Sequence, residues 1–587
     1  MAIQNRIIKS CMNSFLSDYR IEEKDESVQF EHFVNFCIVS KYQLDAYQDD
    51  PLLYEAVHTG QGGDFGIDGL LVLVNDNIVT NKEQFEGIVG NGKFNVKIVF
   101  VQSKTSSTFD SGDMLKMGNG ITRFFDVKPI NGNPKITKAK VLMDTIFEKA
   151  DRFEKNPECY IYYVTTGKWT NDENLVQVQR KIIKDIEILN ITSRVDLIPV
   201  DADKLHSFYR EVTLSIVKNV PMEKTVAFPA ISGVKEAYLG LLSIKDLLNL
   251  ICDDDGVLQN ALFYENVRGF LGYNPVNEEI RRTLVDGKKS VHFPILNNGI
   301  TIVARTMNRV GDNFTISDFQ VVNGCQTCNV IYSSRNDIKN AKNIFCSIKL
   351  ISTDDPEFII DIIKSTNKQT QVLDEAFESL KDFHKKLQAY YETYDAPQRL
   401  YYERRSREFN TQEEINRKRI VTLTMQIKSY LSMFLLEPQS THRYYGELLS
   451  SYRKKLFVDS DKLILYYTAA WCLYRTNEVI FSDRKYSSIK KFSYHIIMLV
   501  ALLAAKRPNN FRPNSGDAEK YCNKVLDVVN DDAKFTKVLA QAAGIIASTL
   551  SSMGVHKSSS KQNEQLTRQR DFTIALMRNA GYKVEGH

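Results

Sequence analysis

Few features of this chain would place it outside a cell or in a membrane. Its nine cysteines are odd in number and scattered, without the regular spacing of a disulfide framework, which suits a reducing compartment. No basic-then-apolar segment at the N-terminus reads as a secretion signal. The longest apolar stretch, residues 496–505, is about half of what a bilayer needs. These absences predict a cytoplasmic protein with no membrane contact. Zinc spacing is missing too. Cys325 and Cys328 form a C-x-x-C, but no second pair follows, Cys346 has no nearby histidine, and the nine histidines are dispersed. The cysteines therefore read as small buried residues around a turn. The net charge of +4 is mild, so any nucleic-acid binding must come from local patches.

What remains is the composition of an ordinary soluble protein, 43% hydrophobic and 25% charged over 587 residues. That length is too great for one core and predicts on the order of two to four domains.

Chemistry concentrates near the N-terminus. Gly62-Gly63-Asp64-Phe65-Gly66-Ile67-Asp68-Gly69 leads into the apolar run Leu70-Leu71-Val72-Leu73-Val74, and a second run, residues 96–101, continues into Gln102-Ser103-Lys104. Both runs read as strands bounded by glycine turns. Side chains alternate in a strand, so Gln102 and Lys104 share a face, and Asp68 at the mouth of its neighbour can converge on it. A hard cation such as Mg2+ (or Mn2+) takes oxygen ligands. Asp68 offers a charged oxygen, Gln102 a neutral amide oxygen, and Ser103 its backbone carbonyl. Lys104 would orient a water or stabilise charge building on a phosphate. Asp64 reads as a turn former. Glu31, in Phe30-Glu31-His32-Phe33, is a possible outer contributor whose plainer reading is a solvated helix position.

These residues resemble the PD-(D/E)xK nuclease superfamily, in its Mrr-like branch with the pattern "GIDG … QxK". The resemblance covers about the first 215 residues, with further strands expected at 160–166 and 195–200 and a helix at 174–188. It implies a restriction-endonuclease-like α/β domain, a mixed central sheet flanked by helices, with Asp68, Gln102 and Lys104 catalytic. Gln102 stands where many relatives carry Glu, which removes a negative ligand.

A second region begins near residue 225. Its first part, 225–355, reads as mixed α+β; 356–515 reads as mostly helical; 516–587 reads as a helical C-terminal segment with a polar linker at 557–563. Asn, Gln, Thr and Gly cluster beside its apolar strands. Such residues close turns and cap loops. Where they converge, amides can also read a base edge or a sugar. The candidates are Asn297, Asn298, Asn323, Gln326, Asn367 and Gln369, with Arg268 as a phosphate-seeking charge. Basic and aromatic residues interleave farther on, around Arg399, Tyr401, Tyr402, Arg404, Arg405, Arg417, Arg419 and Arg453-Lys454-Lys455. This suits a phosphate-neutralising, base-stacking groove, or a helix face laced with salt bridges to Glu403, Glu408, Glu413 and Glu414.

The ordered series "NVRGFLG … VN..I..TL … NNGITI … VVNGCQT … TNKQTQ … YYERR" is similar to the AIPR family, the abortive-infection phage-resistance proteins, over about residues 225–520. That resemblance implies bacterial defence by killing or arresting the infected cell. Two functions follow. One is a metal-dependent nuclease acting on nucleic acid, DNA before RNA, gated by a phage-derived trigger. A homodimer would be natural for it, because two active sites cut both strands most simply. The alternative is a non-catalytic nucleic-acid- or nucleotide-binding defence sensor with a degenerate nuclease domain.

Overall fold

The computed structural model describes residues 3–583 except 61, 91, 127, 129, 214–216, 254–255, 257, 264–274, 354, 356–357, 360, 363–364, 366–381, 405–407, 410–411, 413 and 556–559. Strands β1 (Gly69–Val74), β2 (Asn77–Ile78), β3 (Val96–Lys104), β4 (Glu158–Thr165) and β5 (Arg194–Val200) form a sheet in the order β2-β1-β3-β4-β5. β1 is antiparallel to β2 and β3, whereas β3, β4 and β5 are parallel. The β1–β2 hairpin turns on Asn75 and Asp76, at φ of 49° and 62°, which these two residue types tolerate. Parallel neighbours need crossovers. The helices Ser111–Phe125 and Pro134–Phe147 join β3 to β4, and Glu173–Glu187 joins β4 to β5.

Alternation along the strands divides the apolar side chains between two cores. Leu71, Val99, Val101 and Tyr162 pack with Phe30, Phe33 and Phe36 of the helix Glu26–Tyr42. On the other face Leu70, Val72, Ile98 and Phe100 pack with Met114, Met117 and Ile121 of Ser111–Phe125. A sheet covered on both faces has strands that read as unbroken apolar runs, which is the pattern at 70–74 and 96–101.

A second sheet follows, built from β6 (Val217–Pro221), β7 (Glu223–Ala227), β8 (Glu236–Ser243), β9 (Ile300–Val310), β10 (Asn313–Asn323) and β11 (Phe345–Ser352), in the order β6-β10-β9-β11-β8-β7. It starts ahead of the boundary expected near 225, because β6 pairs with β10. Its core takes in Ile302, Phe314, Val321 and Ile348 together with Cys325, Cys328 and Cys346. All three cysteines are free and buried, small core residues around the helix Cys325–Ser333.

The helical remainder has one shared core. Asp382–Glu392, Leu423–Phe434, Leu463–Ser482 and Ser493–Ala504 pack with Gly516–Val529, Asp532–Ser552 and Arg570–Asn579. The segment after 515 thus shares a core with the helices before it: Leu539, Ile546 and Phe572 lie in that core, and Trp471 Nε1 donates to Asn530 Oδ1 at 2.8 Å. The helical stretch Arg484–Ala504, 21 residues, is by length and composition long and apolar enough to cross a membrane, and it extends well beyond the apolar run at 496–505. Its apolar side chains have another use here: Phe492, Ile496, Ile497, Met498, Leu499 and Val500 are fully buried in the helical core.

Polar contacts tie the first sheet's domain to the rest. Thr422 and Thr424 donate their hydroxyls to the half-buried Asp49 carboxylate at 2.6 and 3.1 Å. Arg194 donates to the Tyr332 hydroxyl at 2.8 Å, and Lys138 pairs with Glu564 at 2.6 Å.

Candidate active site

The glycine-rich loop owes its shape to Asp64. Its two carboxylate oxygens accept the Gly66 and Gly62 amides at 2.8 and 3.1 Å, the local bonding by which Asp forms a turn. Gly66 (φ 79°) passes so close to β3 that an added Cβ would lie 2.9 Å from Gln102 Nε2. The loop leads to Asp68, which enters β1 through a bond from its amide to the Val101 carbonyl at 2.8 Å.

Asp68 is 7% exposed, and its Oδ2 accepts the Ser103 amide at 2.8 Å. β1 and β3 are in register with Gly69 opposite Val101. Continuing that register sets Asp68 beside Gln102, on the face that carries Leu70 and Phe100. Gln102 is fully buried, and neither atom of its amide has a partner among the described residues; the Ser103 hydroxyl is likewise unpartnered. A buried polar group left unpaired costs about 1–3 kcal/mol, and the Gln102 amide has both its donor and its acceptor free for a ligand or a water. Lys104, a third exposed, ends β3 with its Nζ 3.9 Å from Asp113 Oδ2.

Glu31 is not the solvated position that the sequence suggested. Its Oε2 lies 2.6 Å from His58 Nε2, and its side chain is 14% exposed. Burial pushes its carboxyl up to about 7, with Asp64 adding to the effect and Lys104 opposing it. Burial likewise pushes Asp68 up to about 7; Glu31 adds to this, while the Ser103 amide and Lys104 pull the other way. The two carboxyls and the lysine are thus near enough to act on one another electrostatically.

Among the described residues no group of three or more His, Cys, Asp and Glu side chains is disposed to hold a metal. The set here is of another kind: two carboxylates (Asp68 and Glu31), an amide oxygen and a backbone carbonyl. Oxygen donors of this sort suit Mg2+ or Mn2+ and not zinc, and the unpartnered Gln102 amide agrees with such a role.

The end of β3 is braced from β4. Thr166 donates its amide to Ser106 O at 3.1 Å and its hydroxyl to Thr105 O at 3.0 Å. A Cβ added to Gly167 would meet Ser107 O at 1.9 Å. Gly167→Ala is expected to lower thermal stability by about 2 kcal/mol or more, because backbone cannot step aside as a side chain can. An unchanged unfolding midpoint would contradict this packing.

The amide motifs of the second region are partly brought together. Asn297 donates to Thr327 Oγ1 at 3.1 Å and accepts the Gly299 amide at 2.9 Å. Gln326 accepts from the buried Asn277 at 2.9 Å. Asn323 ends β10, and Asn298 is exposed. These bonds join the 297–299 loop to the start of the helix Cys325–Ser333. Arg268, Asn367, Gln369 and Arg405 lie outside the described residues. Arg404 donates from Nε to Gln388 Oε1 at 2.7 Å, and Arg419 donates to the Pro397 and Arg399 carbonyls at 2.6 and 2.8 Å. Lys454 and Lys455 are exposed. Arg404→Ala is accordingly expected to lower the unfolding midpoint and to leave the salt dependence of nucleic-acid binding unchanged. A log–log salt slope shallower by about one unit would instead place Arg404 on a phosphate.

Sequence reasoning passed over His58, Gly60, Asn133 and Lys135. Only Asn133-Pro134 carried a signal, an N-cap followed by proline at the first helical position. Asn133 uses it twice, capping the Lys135 and Ile136 amides through its carbonyl oxygen at 3.0 Å and donating to Thr59 O at 2.7 Å.

No curated protein and no solved structure matches the chain. The region expected to be AIPR-like does match, from a later start and to a later end than the motifs suggested: residues 263–553, from the second sheet into the C-terminal helices, match the family described as AIPR protein.

Proposed function

We propose that the chain is an effector of bacterial abortive infection, a metal-dependent nuclease that cuts phosphodiester bonds of nucleic acid, DNA before RNA. The AIPR match supports the anti-phage role, with this part sensing a phage-derived trigger or gripping nucleic acid. The mixed sheet with helices on both faces supports a restriction-endonuclease-like reading of the N-terminal domain. The observation that carries the reading is the meeting of Asp68, the unpartnered Gln102 amide and Lys104 at the mouth of β1 and β3.

Asp68 and Glu31 would hold the cation, with the amide oxygen of Gln102 and the Ser103 carbonyl beside them. Bound there, Mg2+ or Mn2+ supplies charge that polarises a phosphate and acidifies a water. The Ser103 amide fixes one Asp68 oxygen and so orients the other. Lys104, at the exposed rim, orients the attacking water or stabilises charge on the phosphate. The glycines at 62, 63 and 66 leave room for the bulky phosphodiester. The neutral Gln102 favours the second reading, a nucleic-acid- or nucleotide-binding sensor that does not cut. The purified chain, incubated with Mg2+ and a panel of supercoiled plasmid, linear duplex, single strands and RNA, with and without infected-cell extract, separates the two. Cleavage of at least one substrate is expected; cleavage of none, extract included, removes the nuclease reading.

A further inference from the structure

Glu31 is held by two side chains for which the chemistry above has no role. His58 Nε2 lies 2.6 Å from Glu31 Oε2, and His58 Nδ1 lies 3.2 Å from Lys135 Nζ. An ammonium only donates, so Nδ1 must accept, and the neutral ring carries its proton on Nε2. That proton points at Glu31. Lys135, His58 and Glu31 thus form a chain of hydrogen bonds running in one direction.

The chain of bonds is tightly seated. His58 is 1% exposed and its ring packs at a tilt against His32, with centroids 4.4 Å apart. A Cβ at Gly60 would stand 2.3 Å from Glu31 Oε2 and 2.8 Å from His58 Nε2, so glycine here supplies space and no special backbone angle. Lys135 sits at the start of the helix Pro134–Phe147, which Asn133 fastens to the loop carrying His58 and Asp68 through Thr59 O at 2.7 Å and Gly62 O at 3.2 Å.

We propose that His58 and Lys135 are positioning residues that hold Glu31 toward Asp68, so that the two carboxylates bind one divalent cation together despite the neutral amide at 102. This rests on the nuclease reading for the identity of the ligand. It goes further in making Glu31 dependent on a lysine from a different helix. Partners that orient a ligand carboxylate or histidine typically change metal affinity by about 10–100-fold when removed.

The test is the dissociation constant of Mn2+ for the full-length chain, by calorimetry, with thermal unfolding followed alongside. His58→Phe is expected to weaken Mn2+ about tenfold or more. His58→Gln, whose amide N–H can replace Nε2–H, is expected to recover most of the loss. Lys135→Met, at a half-exposed position that threatens folding less, is expected to weaken Mn2+ by a smaller factor, and Gly60→Ala to resemble His58→Phe. If the wild type binds Mn2+ and the His58→Phe and Lys135→Met variants bind it equally well, the positioning role falls and the nuclease reading stands. An equal loss in His58→Gln and His58→Phe also contradicts it, because a shared packing defect would then explain both. If the wild type binds no Mn2+, the metal site falls and this inference with it.

Discussion

Lys104→Ala is expected to cut the rate of phosphodiester cleavage by about a thousandfold while Mn2+ affinity is not weakened. Removing one preorganised charge from a reacting centre costs about 10²–10³ in rate, and Lys104 stands at the rim of the pocket with one side chain, Asp113, 3.9 Å away. Its charge opposes the raised protonation of both Asp68 and Glu31, so it competes with a cation for the same negative field. Deleting it should therefore slow cleavage and spare metal binding. Asp68→Ala should differ in kind, losing cleavage and weakening Mn2+ together. Single-turnover cleavage at saturating Mn2+, paired with Mn2+ titration, checks both variants. A Lys104→Ala chain that cuts at the wild-type rate would assign the lysine to its ion pair alone.

The second large effect is on stability. The Asp68 carboxyl is pushed from 3.8 to about 7 inside the fold, first by burial and then by the facing Glu31. A carboxyl with a raised folded value is protonated in the fold where the unfolded chain has already released its proton. Its stabilising contribution is complete below about pH 4 and is lost as pH rises through 7. A gap of that size corresponds to about 4 kcal/mol between the two ends of the window, drawn from a pair that titrates together. Four histidines that burial holds below their usual value, His32, His58, His442 and His495, push the whole-chain profile the other way, so the effect is read as a difference between two chains. From pH 5 to pH 8 the metal-free wild type should lose more melting temperature, or gain less, than Asp68→Asn, and saturating Mg2+ should narrow that difference at pH 8 because the cation takes the place of the protons. Identical pH profiles for wild type and Asp68→Asn would contradict the raised Asp68 carboxyl.

How much of this was legible in the sequence depends on which forces place each residue. Asp68, Gln102 and Lys104 come together by strand alternation and pairing, which are local rules, and their common face followed from the pattern alone. Asp64 as a turn former followed from the same kind of rule. Glu31 did not. The helix Glu26–Tyr42 runs from a partly exposed first turn into a stretch buried at every position from Phe33 to Ser40, and Glu31 sits at the border between the two. An apolar helix of that kind lies inside a protein, and a carboxylate on it needs a partner. That partner, His58, arrives from a loop, and Lys135 from a helix more than a hundred residues beyond Glu31. Only tertiary packing brings them to one place. The amides at 297 and 326 were ambiguous for a different reason, since the same side chains close loops and read ligands. Asn297 is bonded to Thr327, and Gln326 to Asn277.

The helical region raised a similar difficulty. The interleaved arginines read equally as a groove or as scaffolding, and hydrogen bonds to backbone carbonyls distinguish the two only once the fold exists. Arg419, bonded to two carbonyls, holds the chain between two helices together. The exposed Lys454 and Lys455 remain available for a phosphate.

The nuclease proposed for the N-terminal domain depends on a cation held by Asp68 and its neighbours. The most direct test is cleavage of nucleic acid by the purified full-length chain in Mg2+, beside the same chain in chelator and the Asp68→Ala variant in Mg2+. Cleavage in the first reaction and in neither of the others is the predicted result. Equal cleavage by wild type and Asp68→Ala would contradict it, because the activity would then come from somewhere other than the mouth of β1 and β3.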